Sequence, residues 1–170
     1  MLLLAALLSS VAGCSVSDSS TNSSDGGSTA KIAPEFSVEA LDGGTLSYSD
    51  LKGKPFVLNF AASWCGPCVQ EAPVLAKMYE KYKDRVEFIG IAIRDREEDQ
   101  RAFAERHGLK FRIGLDPDGK VIYNYQKAAK VNMSGIPTTF FVDKDGIIQS
   151  FFIGPISDST FDQKISTILN

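Results

Sequence analysis

Five consecutive residues, Trp64-Cys65-Gly66-Pro67-Cys68, are where this chain can do chemistry. If the segment opens a helix, residues three apart share one side of the first turn, so the two thiols are close enough to bridge. A cysteine at a helix start faces backbone N–H groups that lack helical partners, at the positive end of the helix dipole. Both favour thiolate over thiol, and the thiolate is the nucleophile. Pro67 suits that first turn because the N–H it lacks is not needed there. Attack by Cys65 on a disulfide would give a mixed disulfide, which Cys68 resolves.

Other uses of two cysteines compete with this one. Structural zinc normally takes four Cys or His ligands; with Cys14 set apart in a leader that would be lipidated, a mature chain offers Cys65, Cys68 and its one histidine, His107, so no metal site is expected. Two soft sulfurs could still hold Cu(I), which keeps a copper carrier as the rival from a different functional class. A disulfide-framework scaffold would need more than the three cysteines present. A net charge of −3 gives no basic face for nucleic acid. No cofactor is implied.

The elements that must position the pair follow from hydrophobic patterning. Phe56–Ala61 is nearly continuous apolar sequence, as expected of a central strand buried on both faces. It leads into a helix expected from Cys65 to Tyr82, with Val69, Ala72, Leu75, Ala76 and Tyr79 on its apolar face. A strand over Val86–Ile93 and a charged helix over Glu97–His107, stopped by Gly108, come next. Phe111–Leu115 reads as a short strand and Gly119–Lys130 as a helix. Pro137–Val142 and Ile147–Ile153 flank the turn Asp143-Lys144-Asp145-Gly146, and Ser157–Asn170 closes as a helix. Ahead of all these, Phe36–Leu41 and Thr45–Tyr48 flank an Asp42-Gly43-Gly44 turn. The predicted class is α/β, one mixed sheet with helices on both faces.

The beginning of the chain is different. Residues 1–13, MLLLAALLSSVAG, are apolar but shorter than the roughly 20 residues that cross a bilayer, and they read as an export signal. No Lys or Arg precedes Leu2, so either Met1 lies inside the real signal or the signal is atypical. Val11-Ala12-Gly13-Cys14 resembles the bacterial lipobox, whose cysteine is lipidated and becomes the new N-terminus; an incidental cysteine in an ordinary signal is the alternative. Residues 14–34 are rich in Ser, Thr, Asp, Asn and Gly and read as a flexible tether spanning roughly 25 Å. The folded domain is expected over residues 35–170.

Taken together, Leu51-Lys52-Gly53-Lys54-Pro55, Asn59-Phe60, the Trp64–Cys68 motif, Glu71-Ala72-Pro73 and Gly135-Ile136-Pro137-Thr138-Thr139-Phe140 resemble the extracytoplasmic thioredoxin-like family of the TlpA/ResA type. The resemblance runs from Phe36 through Phe141. It implies a thioredoxin fold with an added N-terminal hairpin and an inserted helical segment. It implies thiol–disulfide exchange outside the cytoplasm, often in service of cytochrome c maturation. The chain departs from the family at Ala61, where Trp is common.

The resemblance also assigns roles. Pro137 corresponds to a cis-proline facing the cysteines, which leaves the Ile136 backbone free to pair with substrate; a trans proline opening a strand is the alternative. Trp64, Gly66 and Pro67 join Ile136 and Pro137 as the expected substrate-binding surface. Glu71 matches the family's active-site glutamate, against the alternative of a first-turn carboxylate favoured by the dipole. Asn59 stands where cytoplasmic thioredoxins carry a buried, proton-shuttling Asp, which shifts proton handling toward Glu71. His107 reads as a helix C-terminal residue, and Arg94–Arg101 as a solvated face. The expected partners are a protein disulfide or dithiol, a membrane-embedded thiol carrier as electron donor, and the membrane itself through the lipid. A reductant is the leading reading. A disulfide oxidase or isomerase is the rival within the class, and a thiol peroxidase lacks its Pro-x-x-x-Thr-x-x-Cys arrangement.

Overall fold

The computed structural model describes residues 30–132 and 135–169. Its centre is a five-stranded sheet of β3 (Phe56–Ala61), β4 (Glu87–Ile93), β5 (Arg112–Asp116), β6 (Thr138–Val142) and β7 (Ile148–Ile153), in the order β5-β4-β3-β6-β7. Strands β3, β4 and β5 run parallel, while β6 and β7 are antiparallel to their neighbours. A separate antiparallel hairpin, β1 (Ser37–Glu39) with β2 (Thr45–Ser47), precedes the sheet. Among the described residues there are four α-helices, α1 (Gly66–Tyr82), α2 (Glu97–His107), α3 (Lys120–Ala129) and α4 (Asp158–Ser166), and one 3-10 turn over Tyr48–Leu51.

Strand β3 has neighbours on both edges and cover on both faces, so all six of its residues are buried. That is why its sequence does not alternate. Alternation still decides which side each residue serves. Phe56, Leu58 and Phe60 face a core with Tyr125 of α3, Phe140 of β6, and Phe36 and Leu46 from around the hairpin. Val57 faces the opposite core, with Leu75 and Met78 of α1 and Phe161 and Ile165 of α4. By the same alternation Asn59 and Ala61 point toward α1, which places one polar side chain of the strand under the cysteine pair.

Both edges of the sheet are partly covered. At β5, Leu41 donates its N–H to the Ile113 carbonyl at 2.9 Å, and a Cβ added to Gly114 would stand 2.4 Å from Val38 Cγ2. Only glycine lets the hairpin lie this close. At β7, Ile148 donates to the Lys31 carbonyl and Ala33 to that of Gly146, both at 2.8 Å. Covering an edge in this way blunts its tendency to pair with another chain.

That second contact moves the expected boundary of the tether. Ala33 is buried, so packed chain begins before residue 35. The reason is backbone pairing along the β7 edge, which composition cannot reveal. The signal at 1–13, Cys14 and most of the tether lie outside the described residues. The first strand is shorter than expected, three residues rather than six, because Phe36 and Leu41 turn into packing and edge contacts.

Candidate active site

Helix α1 starts at the motif. Cys65 is its N-cap, with extended backbone, and its Sγ accepts the Cys68 N–H at 3.2 Å. Gly66 and Pro67 form the exposed first helical positions. A disulfide joins Cys65 and Cys68 across a Cα–Cα distance of 5.2 Å. Both cysteines are buried, Cys68 the deeper of the two, in a small cluster with Ala61, Ala62 and the partly buried Ile136.

The buried face of α1 consists of Cys68, Glu71, Ala72, Leu75, Met78 and Tyr82. The apolar stripe anticipated from hydropathy included Val69, which is exposed instead. The helix is rotated so that Cys68 and Glu71 point inward, and a hydropathy pattern cannot anticipate a carboxyl group being buried by choice. Glu71 accepts Asn59 Nδ2 at 3.0 Å and the Ile156 N–H at 3.2 Å. The second hydrogen of Asn59 Nδ2 goes to Thr139 Oγ1 at 2.9 Å. Burial pushes the Glu71 carboxyl up to about 7, against the opposing pull of the Asn59 and Ile156 bonds. A first-turn carboxylate stabilised by the dipole does not describe it. Glu71 is a buried acid poised near neutral pH, where proton transfer is most efficient.

The Ile136–Pro137 peptide bond is cis, and the Ile136 carbonyl oxygen lies 3.5 Å from Cys65 Sγ. Pro137 is buried and Ile136 half-buried, so the backbone opposite the nucleophile is held while its outer edge stays accessible. The approach to the motif is fixed from the other side. Asp95 accepts both the N–H and the hydroxyl of Ser63, at 2.6 and 2.9 Å, and Trp64 Nε1 donates to the Arg94 carbonyl at 3.3 Å. Trp64 is nevertheless 62% exposed. It forms a wall of a groove of about 470 Å³ that also involves Ile122 and Tyr123 of α3, Lys120 and Ile136.

Trp64, Gly66, Pro67, Ile136 and Pro137 thus gather about the disulfide, and Glu71 shares the buried face of α1 with Cys68. His107 stands apart, its ring 4.8 Å from that of Phe103. Among the described residues no three of His, Cys, Asp and Glu come together as metal ligands do. Two participants escaped the sequence. Thr139 is a buried anchor for Asn59. Gln100 of α2 falls in the stretch expected to be a solvated face, yet it is buried, as is Phe103. Its signal was present: Gln100 and Phe103 are three apart, on one side of an otherwise charged helix.

Comparisons with known proteins agree with this geometry. Residues 29–151 match the AhpC/TSA family. The chain is 35% identical over 136 residues to a thioredoxin-like protein, YneN, of Bacillus subtilis, covering 78% of this chain and 76% of that one. It is 37% identical over 125 residues to the thiol-disulfide oxidoreductase ResA of Bacillus anthracis, covering 73% of this chain and 69% of that protein. Among solved structures, a thioredoxin-family thiol:disulfide interchange protein from Chlorobium tepidum superposes with a TM-score of 0.72 at 27% identity, covering 83% of this chain and 97% of that one.

Proposed function

The chain belongs to the AhpC/TSA family and is a thioredoxin-fold thiol–disulfide oxidoreductase, and on that premise we propose that it reduces protein disulfides outside the cytoplasm. Cys65 is the nucleophile and Cys68 the resolving thiol. In the dithiol form the Cys65 thiolate attacks one sulfur of a substrate disulfide. The substrate S–S bond breaks, the leaving thiolate takes a proton, and a Cys65–substrate disulfide forms. Cys68 then loses its proton, with Glu71 as the nearby acceptor, and attacks Cys65 Sγ. The second substrate thiol departs and the Cys65–Cys68 disulfide is formed. Two electrons have passed to the substrate. A dithiol donor must return them, and a membrane-embedded thiol carrier fits a compartment without reduced glutathione.

The observation that carries the direction of transfer is the buried Glu71 carboxyl beneath a Gly66-Pro67 motif with no histidine near it. Strong oxidants of this fold sit near about −120 mV because their reduced thiolate is heavily stabilised, whereas thioredoxin lies at about −270 mV. A carboxylate under the pair opposes thiolate and favours the low end. A peroxidase reading lacks support at the residues it would need, since Leu58 and Ala62 occupy the Pro and Thr positions of that arrangement.

Substrate engages the Ile136 backbone and the surface of Trp64, Gly66, Pro67 and cis-Pro137. Lipidation at Cys14 would tether the domain to a bacterial membrane, and several acyl chains would anchor firmly at about 0.8 kcal/mol per buried methylene. Packed chain begins beside Ile147, before β7, at the end of the sheet opposite the cysteines. A tethered domain would then present its disulfide away from the anchoring surface and turn on its linker to meet a donor. A role in cytochrome c maturation follows from the family resemblance. The test is the redox state in living cells, quenched with acid and alkylated. A reductant keeps the Cys65–Cys68 pair mostly reduced; a mostly oxidised pair supports the oxidase reading.

A further inference from the structure

The geometry points to Gln100 as a positioning residue for the redox pair: its side-chain oxygen accepts the Cys68 S–H once the disulfide opens. The inference rests on the exchange reaction proposed above and concerns a group that this reaction did not use.

Gln100 is 2% exposed, and its Oε1 has no hydrogen-bond partner among the described residues. A buried acceptor left unpaired is destabilising, and few native polar groups are left so. The residue lines a small cavity of about 10 Å³ together with Cys68, Asn59, Ala61, Gly90 and Phe103. A space of that size holds about one water at most. Ala61, Gly90 and Phe103 bring no side-chain donor. Both hydrogens of Asn59 Nδ2 are already committed, to Glu71 and to Thr139.

Cys68 is the lining side chain whose donor capacity changes with redox state. In the disulfide its sulfur carries no hydrogen. Reduction by a dithiol transfers two electrons and two protons: the Cys65–Cys68 bond breaks, the donor becomes a disulfide, and Cys68 gains an S–H inside the protein. A thiol S–H is a weak donor, and Gln100 Oε1 is the unpaired acceptor in the same cavity. The mismatch therefore belongs to the oxidised form and is relieved in the reduced form. Gln100 stabilises the dithiol relative to the disulfide, tempering how strongly reducing the pair becomes.

The full chain is equilibrated against mixtures of reduced and oxidised dithiothreitol at neutral pH, and compared with Gln100→Leu and with Gln100→Met, which keeps the length of the side chain. Both variants should move the equilibrium toward the disulfide three- to tenfold, which is about 14 to 30 mV for a two-electron couple. Denaturant unfolding should show each oxidised variant at least as stable as the oxidised parent, with the loss confined to the reduced form. An unchanged equilibrium, a shift toward the dithiol, or equal losses in both redox forms would overturn the assignment while leaving the exchange reaction intact. A parent protein that does not exchange with dithiothreitol at all would overturn both.

Discussion

Asn59 Nδ2 donates to Glu71 Oε2 at 3.0 Å, so the one polar side chain of the central strand holds the one buried carboxyl of the active-site helix. The bond joins β3 to α1, the helix that opens at the cysteine pair. Asn59 itself cannot take up the proton that an aspartate in its place could, so in the exchange reaction proposed above the acid–base work falls to Glu71.

Glu71 should make stability depend on pH. Its folded pKa, about 7, is above its ordinary value of 4.5. The unfolded chain therefore holds fewer protons between those values, and stability falls as pH rises through them. The contribution of Glu71 is greatest below pH 4.5 and levels off above 7, with a total change on the order of 3 kcal/mol. Glu71→Gln should flatten that slope in denaturant unfolding and move the pH profile of thiol exchange. Superimposable curves for parent and variant would mean the carboxyl is only structural.

Removing Asn59 should cost more than one hydrogen bond. Asn59→Ala leaves Glu71 Oε2 and Thr139 Oγ1 without the donor they share. The expected loss is about 1–3 kcal/mol for each buried group left unpaired. The lost bond had been lowering the Glu71 pKa, so the transition near pH 7 should move upward. A downward move would show that the Asn59 bond favours the protonated acid.

The two thiols should react unequally after reduction. Cys65, at the helix start beside exposed Gly66 and Pro67, should be alkylated first at neutral pH, with Cys68 shielded. Cys68→Ser should accumulate mixed disulfides with protein substrates, and Cys65→Ser should not. Mass spectrometry of the trapped species reads both the order and the partner. Equal alkylation rates would count against the division of labour.

Trp64 should matter for substrate and not for stability. It is 62% exposed, so Trp64→Ala should change unfolding free energy by no more than about 0.5 kcal/mol. Reduction of a protein disulfide should slow about tenfold, corresponding to about 1.4 kcal/mol in kcat/KM. Reaction with a small disulfide should barely change. A large loss of stability with no change in rate would make the residue a packing anchor instead.

Much of this architecture was legible in the residues because it rests on local rules. The unbroken apolar run of β3, the Gly108 stop after α2 and the Gly-containing turn before β7 each announce themselves within a few positions. So does the cysteine pair, whose chemistry depends on spacing and a helix start. What the sequence hid was long-range. The inward turn of Cys68 and Glu71 depends on Asn59 and Ile156, which lie 12 and 85 residues from Glu71. Gln100 shares a small cavity with Cys68 although the two lie 32 residues apart in the chain. The pairing of Lys31–Ala33 with the β7 edge likewise joins segments far apart in the chain.

The reduction potential of the Cys65–Cys68 pair tests the central claim most directly. Equilibration with dithiothreitol or glutathione buffers, followed by alkylation, gives the value without knowledge of the substrate. A Gly66-Pro67 motif, no nearby histidine and a buried acid beneath the sulfurs lead to a potential near that of thioredoxin, about −270 mV. A value more oxidising than about −180 mV, where disulfide isomerases lie, would contradict the reductant function and support an oxidase or isomerase in its place.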